Sequence, residues 1–396
     1  MPFGEFVAFV AAAMALNALA IDVMLPALPM LAELLQIADS NDRQLVIVVY
    51  LGGFAVSQLV FGPLSDRFGR RPVLLGGLAL FSLACLLSTL AQSFEQMLAA
   101  RLLQGFAAAA PRVIGVALVR DSYSGREMGR VMSFAMMIFM AVPVLAPSIG
   151  ALVLLVAPWR AVFGLLMLAA LAMAIWAGLR LRETLKPEQR RPLSVSVIAA
   201  GYAETAHTRI TAGYGLAMGL VFGALISFVT SAQQIFMDVF GMGGEFTVLF
   251  AAVTLGMVGS AFANAKLVRR LGLRRLSHTA LCCFIVVCGL HWWLAASGHE
   301  QVALFVLMQA MTIFLFGFLG PNFNAIAMQP MGHIAGTAAA MLGFVSTGMA
   351  AIIGGLVGGA FDGSTVPLTA GSTLLGLVAL LVLFATERGK LFSALD

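Results

Sequence analysis

Charged residues are scarce in this sequence. Of its 396 residues only 10% are Asp, Glu, Lys or Arg, whereas 61% are apolar, and the mean hydropathy is +0.99. A water-soluble chain of this length needs more charge to cover its surface, so the composition indicates an integral membrane protein. The net charge of +5 does not indicate a nucleic-acid partner, because the basic residues lie between hydrophobic runs.

Cysteine is also rare, and the common motifs of soluble catalysis are missing. The four cysteines lie inside apolar segments without the paired spacing of a metal site, at Cys85, Cys282, Cys283 and Cys288. We expect them to be small buried residues rather than disulfides or ligands. The sequence has no nucleotide loop, zinc motif or nucleophile elbow, so it predicts neither an enzyme nor a bound metal or cofactor.

Long hydrophobic runs are what the sequence has in abundance. A bilayer core needs roughly 20 apolar residues per helix, and twelve runs of this kind are present. They lie near residues 5–32, 43–65, 72–91, 95–120, 127–156, 158–180, 208–235, 244–267, 275–297, 299–326, 333–360 and 366–386. The first run has no basic leader and is too long for a signal peptide. The sequence therefore predicts an all-α membrane protein with twelve transmembrane helices.

The longest polar stretch separates the sixth run from the seventh. It holds Lys186, Pro187, Arg190, Arg191 and Pro192. We therefore expect an N-terminal six-helix bundle at 1–181, a cytoplasmic central loop at 182–207 and a C-terminal six-helix bundle at 208–396. Two parallel halves around a central cavity are the construction of one large class of secondary transporter.

The basic residues predict how the chain crosses the membrane. If the N-terminus is cytoplasmic, the cytoplasmic loops and termini hold nineteen of the 23 Lys and Arg residues. The outer loops hold only Arg43 and Arg160, and Arg101 and Arg112 lie inside the fourth run. Because cytoplasmic loops are enriched in Lys and Arg, we expect both termini in the cytoplasm.

Few charges lie at membrane depth, where each costs at least about 2.5–3.5 kcal/mol on insertion scales. Asp22 is the only acid well inside an apolar run. It either forms a buried ion pair that joins two helices, or exchanges a proton and a substrate within a water-filled cavity. We expect Asp22 and Arg101 to serve proton coupling. The predicted substrate cavity comprises Asp22, Asn17, Gln104, Arg112, Gln233, Gln234 and Asn322.

The loop after the second run has Gly, Asp, Gly and two Arg residues in a characteristic order and reads Gly62-Pro-Leu-Ser-Asp-Arg-Phe-Gly-Arg-Arg-Pro72. This loop resembles the signature loop of the major facilitator superfamily. The resemblance implies that the loop helps control an inward–outward switch through Gly62, Asp66, Arg67, Gly69, Arg70 and Arg71. The equivalent loop of the second half, residues 264–275, keeps the basic residues but lacks the acid. We therefore expect the two halves to differ in gating.

Two further segments are similar to motifs of drug–proton antiporters within that superfamily. The fourth run has Arg101, Gln104 and Gly105 in the arrangement of a buried-arginine motif. The fifth run resembles the antiporter motif, although alanine replaces two of its glycines at 146 and 151. The matching positions of this antiporter motif are Pro143, Pro147 and Gly150.

Segments 21–29, 264–272 and 335–338 resemble the Bcr/CflA subfamily of multidrug efflux transporters. This resemblance implies a proton-coupled antiporter that exports drugs or amphipathic small molecules across a bacterial inner membrane by alternating access. We expect a functional monomer whose partners are its substrate, protons and the lipid bilayer. Two alternatives stay open: proton-coupled uptake of a small metabolite by symport, and a membrane sensor that does not transport.

Overall fold

The computed structural model describes residues 1–39, 41–190 and 193–392. These residues form fourteen α-helices and no β-strand. Helices are expected here because hydrocarbon offers the backbone no hydrogen-bond partners, and a helix satisfies its N–H and C=O groups internally. Arg191 and Pro192, which we predict within the central loop, lie outside the described residues.

The chain divides into two compact units, Met1–Ala199 and Ala200–Asp396. The helices of the first unit are α1 (Phe3–Asp22), α2 (Leu28–Leu34), α3 (Leu45–Phe68), α4 (Arg70–Leu90), α5 (Phe94–Ser122), α6 (Gly125–Val156) and α7 (Arg160–Arg180). A further helix, α8 (Val195–His207), begins inside the predicted central loop and ends within the second unit. The other helices of the second unit are α9 (Arg209–Gln234), α10 (Phe246–Leu271), α11 (Leu273–Ala296), α12 (Val302–Met328), α13 (Ala335–Gly359) and α14 (Val366–Thr386).

The twelve predicted membrane spans are confirmed. Eleven helical stretches of the described chain are long and apolar enough to cross a membrane, and the longest is the 58-residue stretch Val302–Gly359. A straight helix of that length would reach about 87 Å, nearly three times the hydrocarbon thickness of a bilayer. It bends at Met331, whose φ of −102° and ψ of 16° are not helical. The stretch is therefore two spans, α12 and α13.

Many large apolar side chains point away from the helix bundles. Leu155 and Val156 on α6 and Leu179 on α7 are among the most exposed. Such side chains suit contact with lipid, where helices carry an apolar outer surface.

The cysteines lie partly inside the bundles and partly on their outer surface: Cys85 and Cys288 are buried, whereas Cys283 is exposed. The expected burial of Cys283 is wrong, because an apolar run does not reveal which helix face turns outward.

Glycines bring α9 and α13 close together in the second unit. Gly215, Gly219 and Gly223 recur every fourth residue on one face of α9. A methyl group at these positions would lie 2.6–2.8 Å from side-chain atoms of α13, namely those of Leu342, Met349 and Ile353. Small residues of this kind let membrane helices pack at short distance.

A comparable contact joins α3 and α5 in the first unit. A methyl group at Gly105 would overlap the carbonyl oxygen of Tyr50, and one at Gly53 would overlap that of Leu102. The backbones of α3 and α5 therefore touch with no side chain between them. This contact determines where Arg101, one turn from Gly105, enters the core.

We expect Gly105→Ala to destabilise the protein by about 1–3 kcal/mol or more, because the added methyl meets backbone that can move only with the whole of α3. Gly164→Ala on α7 is the matched control, since a methyl there has no atom within 4 Å. Thermal unfolding of both variants in detergent would measure the difference. Equal unfolding temperatures for the two variants would contradict the close contact.

Candidate functional site

Asp22 lies at a break in the first membrane span. It is the last residue of α1, and a short 3₁₀ turn, Leu25–Ala27, separates it from α2. Pro26 and Pro29 stand near the starts of the turn and of α2, where a missing backbone N–H costs little. The carboxyl group therefore occupies a helix end within the span.

The Asp22 carboxyl group is enclosed but not neutralised. Its residue is only 5% exposed, and no residue of the described ranges gives it an ion pair or a hydrogen bond. The Tyr50 hydroxyl of α3 donates a 2.9 Å hydrogen bond to the side-chain oxygen of Asn17, which lies five residues before Asp22 on α1. Asn17 thereby orients the Tyr50 side chain between α1 and α3.

Arg101 is fully buried and is held by neutral acceptors. Its Nε donates to the carbonyl of Val46 at 3.1 Å, and its Nη1 donates to Gln104 Oε1 at 2.5 Å and to the carbonyl of Ala20 at 3.3 Å. The guanidinium lies 4.3 Å from the centre of the Tyr50 ring, a favourable cation–π distance. Asp22 and Arg101 therefore do not form the buried ion pair that was one of the two alternatives for Asp22.

The other polar residues predicted on α5, Gln104 and Arg112, both follow Arg101 along the helix. Gln104 donates from Nε2 to Cys85 Sγ at 3.0 Å, so both its ends are occupied. Arg112 is half-buried, with its guanidinium 5.5 Å from the Phe54 ring and no ion pair to any described residue. It lies eleven residues beyond Arg101, about 16 Å along the helix.

The antiporter motif on α6 packs against the chain that follows Asp22. A methyl group at Gly150 would overlap the carbonyl oxygen of Val23 and come within 3.5 Å of Pro26. Pro147 and Ala146 of the same motif are buried, whereas Pro143 is half-buried. The retained glycine thus stands where no side chain fits, and the alanine at 146 occupies a position that accepts a methyl group.

The loop between α3 and α4 is centred on Arg70, which is only 3% exposed. Its guanidinium pairs with Asp66 Oδ1 at 2.5 Å and with Asp121 Oδ2 at 2.8 Å, and it also donates to Ser65 Oγ at 2.7 Å. Asp66 belongs to the last turn of α3 and Asp121 to the last turn of α5. One arginine therefore fastens three helix ends together.

Glu183, which follows α7, completes this loop. Its two carboxylate oxygens accept hydrogen bonds from the backbone N–H groups of Arg70, at 2.9 Å, and Arg71, at 3.1 Å. Gly69 makes the turn possible: its φ is +102°, and a methyl there would lie 2.5 Å from Glu183. Both Asp121 and Glu183 were missed by the sequence reasoning. The sequence does contain a signal for them, because Asp121 follows the fourth apolar run and Glu183 follows the sixth.

The other predicted residues of this loop contribute less. A methyl group at Gly62 would have no atom within 4 Å, so close packing does not require a glycine there. Arg67 is exposed and forms no ion pair with the described residues. Arg71 donates from Nη2 to the carbonyl of Gly178 at 2.6 Å.

The equivalent turn of the second unit obtains its acid from elsewhere in the chain. Residues 264–275 contain none, but Glu387, directly after α14, accepts from Arg274 Nε at 2.9 Å and from the Tyr214 hydroxyl at 2.7 Å. Burial alone would raise the pKa of Glu387, yet these two hydrogen bonds hold it below its ordinary value. This turn therefore does have a carboxylate, although not within its own loop.

The cavity residues predicted in the second unit are not brought together. Gln233 and Gln234 are buried at the end of α9, about 36 Å from its start at Arg209. Asn322 is buried near the opposite end of the bundle, six residues before the end of α12. It donates from Nδ2 to Asn264 Oδ1 at 2.8 Å. One ligand could not contact the two glutamines and Asn322 at once.

Comparison with known proteins agrees with this architecture. Residues 10–355 match the Major Facilitator Superfamily. The bicyclomycin resistance protein homolog of Haemophilus influenzae is 30% identical, over 85% of this chain and 84% of that protein. The chloramphenicol resistance protein of Pseudomonas aeruginosa is 30% identical, over 82% of this chain and 77% of that protein.

A solved structure supports the fold alone. The crystal structure of the human organic anion transporter MFSD10 has a TM-score of 0.71 to this chain at 20% identity, covering 97% of this chain and 100% of that one. The family match spans most of the sequence, and its members are transporters rather than enzymes. The chain belongs to the Major Facilitator Superfamily and is a multi-pass membrane transporter of small molecules.

Proposed function

We propose that this transporter exports amphipathic small molecules, antibiotics among them, in exchange for protons. The observation that carries the proposal is the Asp22 carboxyl group, buried at a helix break with no counter-ion among the described residues. A buried carboxylate without a partner is costly, and binding a proton relieves that cost. Arg101 donates from Nε and Nη1 to neutral acceptors, its buried Nη2 has no hydrogen-bond partner among the described residues, and it does not lock Asp22 in its charged form.

The surroundings of Asp22 support a site whose charge can change. Gly150 of the antiporter motif packs on the carbonyl of Val23, directly after Asp22. A shift of α6 against this segment would change the hydration of the carboxyl group. In the proposed cycle a proton taken up from outside neutralises Asp22 and favours substrate release, and proton loss toward the cytoplasm allows reloading.

The substrate class rests on the relatives, whose names state resistance to bicyclomycin and to chloramphenicol. We place the protein in a bacterial inner membrane as a functional monomer with both termini in the cytoplasm. The distribution of Lys and Arg supports this orientation, because the α3–α4 and α10–α11 turns and the chain between α7 and α9 carry most of them.

We expect Asp22→Asn to abolish proton-driven export while the protein remains folded. The amide keeps the shape of the side chain but cannot release a proton at physiological pH. Resistance of an efflux-deficient host to bicyclomycin and chloramphenicol should fall to the level without transporter. Glu33→Gln, which changes an exposed acid of the same span, should keep wild-type resistance.

Proteoliposomes with an imposed pH gradient distinguish the rival mechanisms. Substrate and protons moving in opposite directions support the proposal, and movement in the same direction would establish symport instead. If Asp22→Asn still concentrates substrate against its gradient, Asp22 is not the coupling group. Absence of flux in the wild-type protein, with a substrate to which it confers resistance, would reject export by this chain.

The proposed gate is the Arg70 loop, whose two acids differ in the exposure of their side chains. The side chain of Asp66 is 39% exposed, whereas the side chain of Asp121 is 15% exposed. Because exposed pairs are weakened by solvent, we expect Asp121→Asn to shift the inward–outward population more than Asp66→Asn. A loss of about 1 kcal/mol would change the population ratio roughly fivefold. Substrate affinity should change much less.

Accessibility of engineered cysteines on the two faces, measured beside equilibrium binding, tests this ranking. Glu127→Gln at the exposed start of α6 is the control, since it removes an acid near α5 without breaking an ion pair of the described chain. Unchanged accessibility together with lost binding would assign the acids to the substrate site rather than to a gate.

A further inference from the structure

A second polar site lies at the end of the first unit, away from Asp22. A cavity of about 620 Å³ opens where α7 ends and α4 begins. Its lining includes three arginines, Arg71, Arg180 and Arg182, together with Glu183 and Leu179. Arg71 and Glu183 also belong to the Arg70 loop, whereas Leu179, Arg180 and Arg182 have no part in the coupling site or the gate described above.

The positive charge of this cavity is only partly neutralised. Arg71 contacts a neutral carbonyl, that of Gly178, and its buried Nε has no hydrogen-bond partner. Arg182 is exposed and has no ion pair within the described ranges. Glu183 lines the same cavity and offsets one of these charges, while its oxygens accept hydrogen bonds from the backbone N–H groups of Arg70, Arg71 and Leu185.

Within the described residues, Arg180 is the one of these three arginines whose guanidinium pairs with a carboxylate. It donates from Nε and Nη2 to the two oxygens of Glu5, at 2.9 and 2.8 Å, and Trp176 donates its indole N–H to the same carboxylate at 3.1 Å. This pair fixes one wall of the cavity. Glu183 is then the remaining acid of the lining against Arg71 and Arg182, so the cavity keeps a net positive charge that an anion can neutralise.

We propose that this cavity binds a phosphate group, most readily that of an anionic phospholipid headgroup. Guanidinium groups match phosphate oxygens through paired hydrogen bonds. The volume exceeds what a bare anion needs and accommodates a headgroup. Leu179, 78% exposed at the rim, provides an apolar surface for the acyl chains. Basic pockets at the cytoplasmic ends of membrane helices are suited to such lipids.

Binding of phosphatidylglycerol to the full-length, delipidated protein tests the proposal by native mass spectrometry, with phosphatidylcholine as the reference lipid. We expect Arg182→Gln to weaken phosphatidylglycerol binding about fivefold. Arg270→Gln, which removes an exposed arginine from the last turn of α10 in the second unit, should keep wild-type binding. Unfolding temperatures of both variants establish that each is folded.

A second measurement distinguishes a lipid from a soluble phosphate ester. Stabilisation by glycerol phosphate at constant ionic strength is compared between wild type and Arg182→Gln. Stabilisation of the wild type alone, with unchanged lipid binding, would keep the phosphate site and assign it to a soluble ligand. If neither ligand distinguishes Arg182→Gln from wild type, or if Arg270→Gln weakens lipid binding equally, the proposal is overturned.

Discussion

Hydrocarbon contains no hydrogen-bond donors or acceptors, and this constraint governs the whole molecule. Backbone groups must pair within helices, and charged groups must lie at helix ends or be supplied with partners from the chain. Arg101 illustrates the second requirement, since two of its acceptors are the carbonyls of Val46 and Ala20. Asp22 departs from this requirement, because its charged form has no such partner among the described residues, and Arg112 has only the Phe54 ring beside its guanidinium.

The number of spans and the position of the arginine-rich loop could be predicted because both are local properties of the sequence. A run of apolar residues crosses a membrane whatever its neighbours are. The partners of Arg70 could not be predicted, since Asp121 and Glu183 reach it from 51 and 113 residues away. The break at Asp22 was equally hidden: the prolines that follow it indicate a disturbed helix without fixing where α1 ends.

The two units share a turn between their second and third spans that an acid from the end of the unit contacts, but the contacts differ. In each, a glycine with positive φ, Gly69 or Gly272, separates the second and third spans of the unit. In each, an acid after the last span reaches this turn. Glu183 accepts from backbone N–H groups, whereas Glu387 accepts from the side chains of Arg274 and Tyr214. The first unit adds Asp66 and Asp121 around Arg70. We therefore expect the two halves to differ in gating because the first turn has more acidic side chains, and not because the second turn lacks an acid.

The hydrogen bond from Trp176 to Glu5 gives the protein a built-in spectroscopic reporter. Of the four tryptophans, Trp159 precedes α7, and Trp292 and Trp293 lie near the end of α11. Trp176 alone stands near the cavity lined by arginines, with its indole N–H on a carboxylate. The emission of an indole depends on the charge and water around it. In a variant whose other three tryptophans are replaced by phenylalanine, changes of hydration at this end of the first unit can therefore be followed by fluorescence, without attaching a dye.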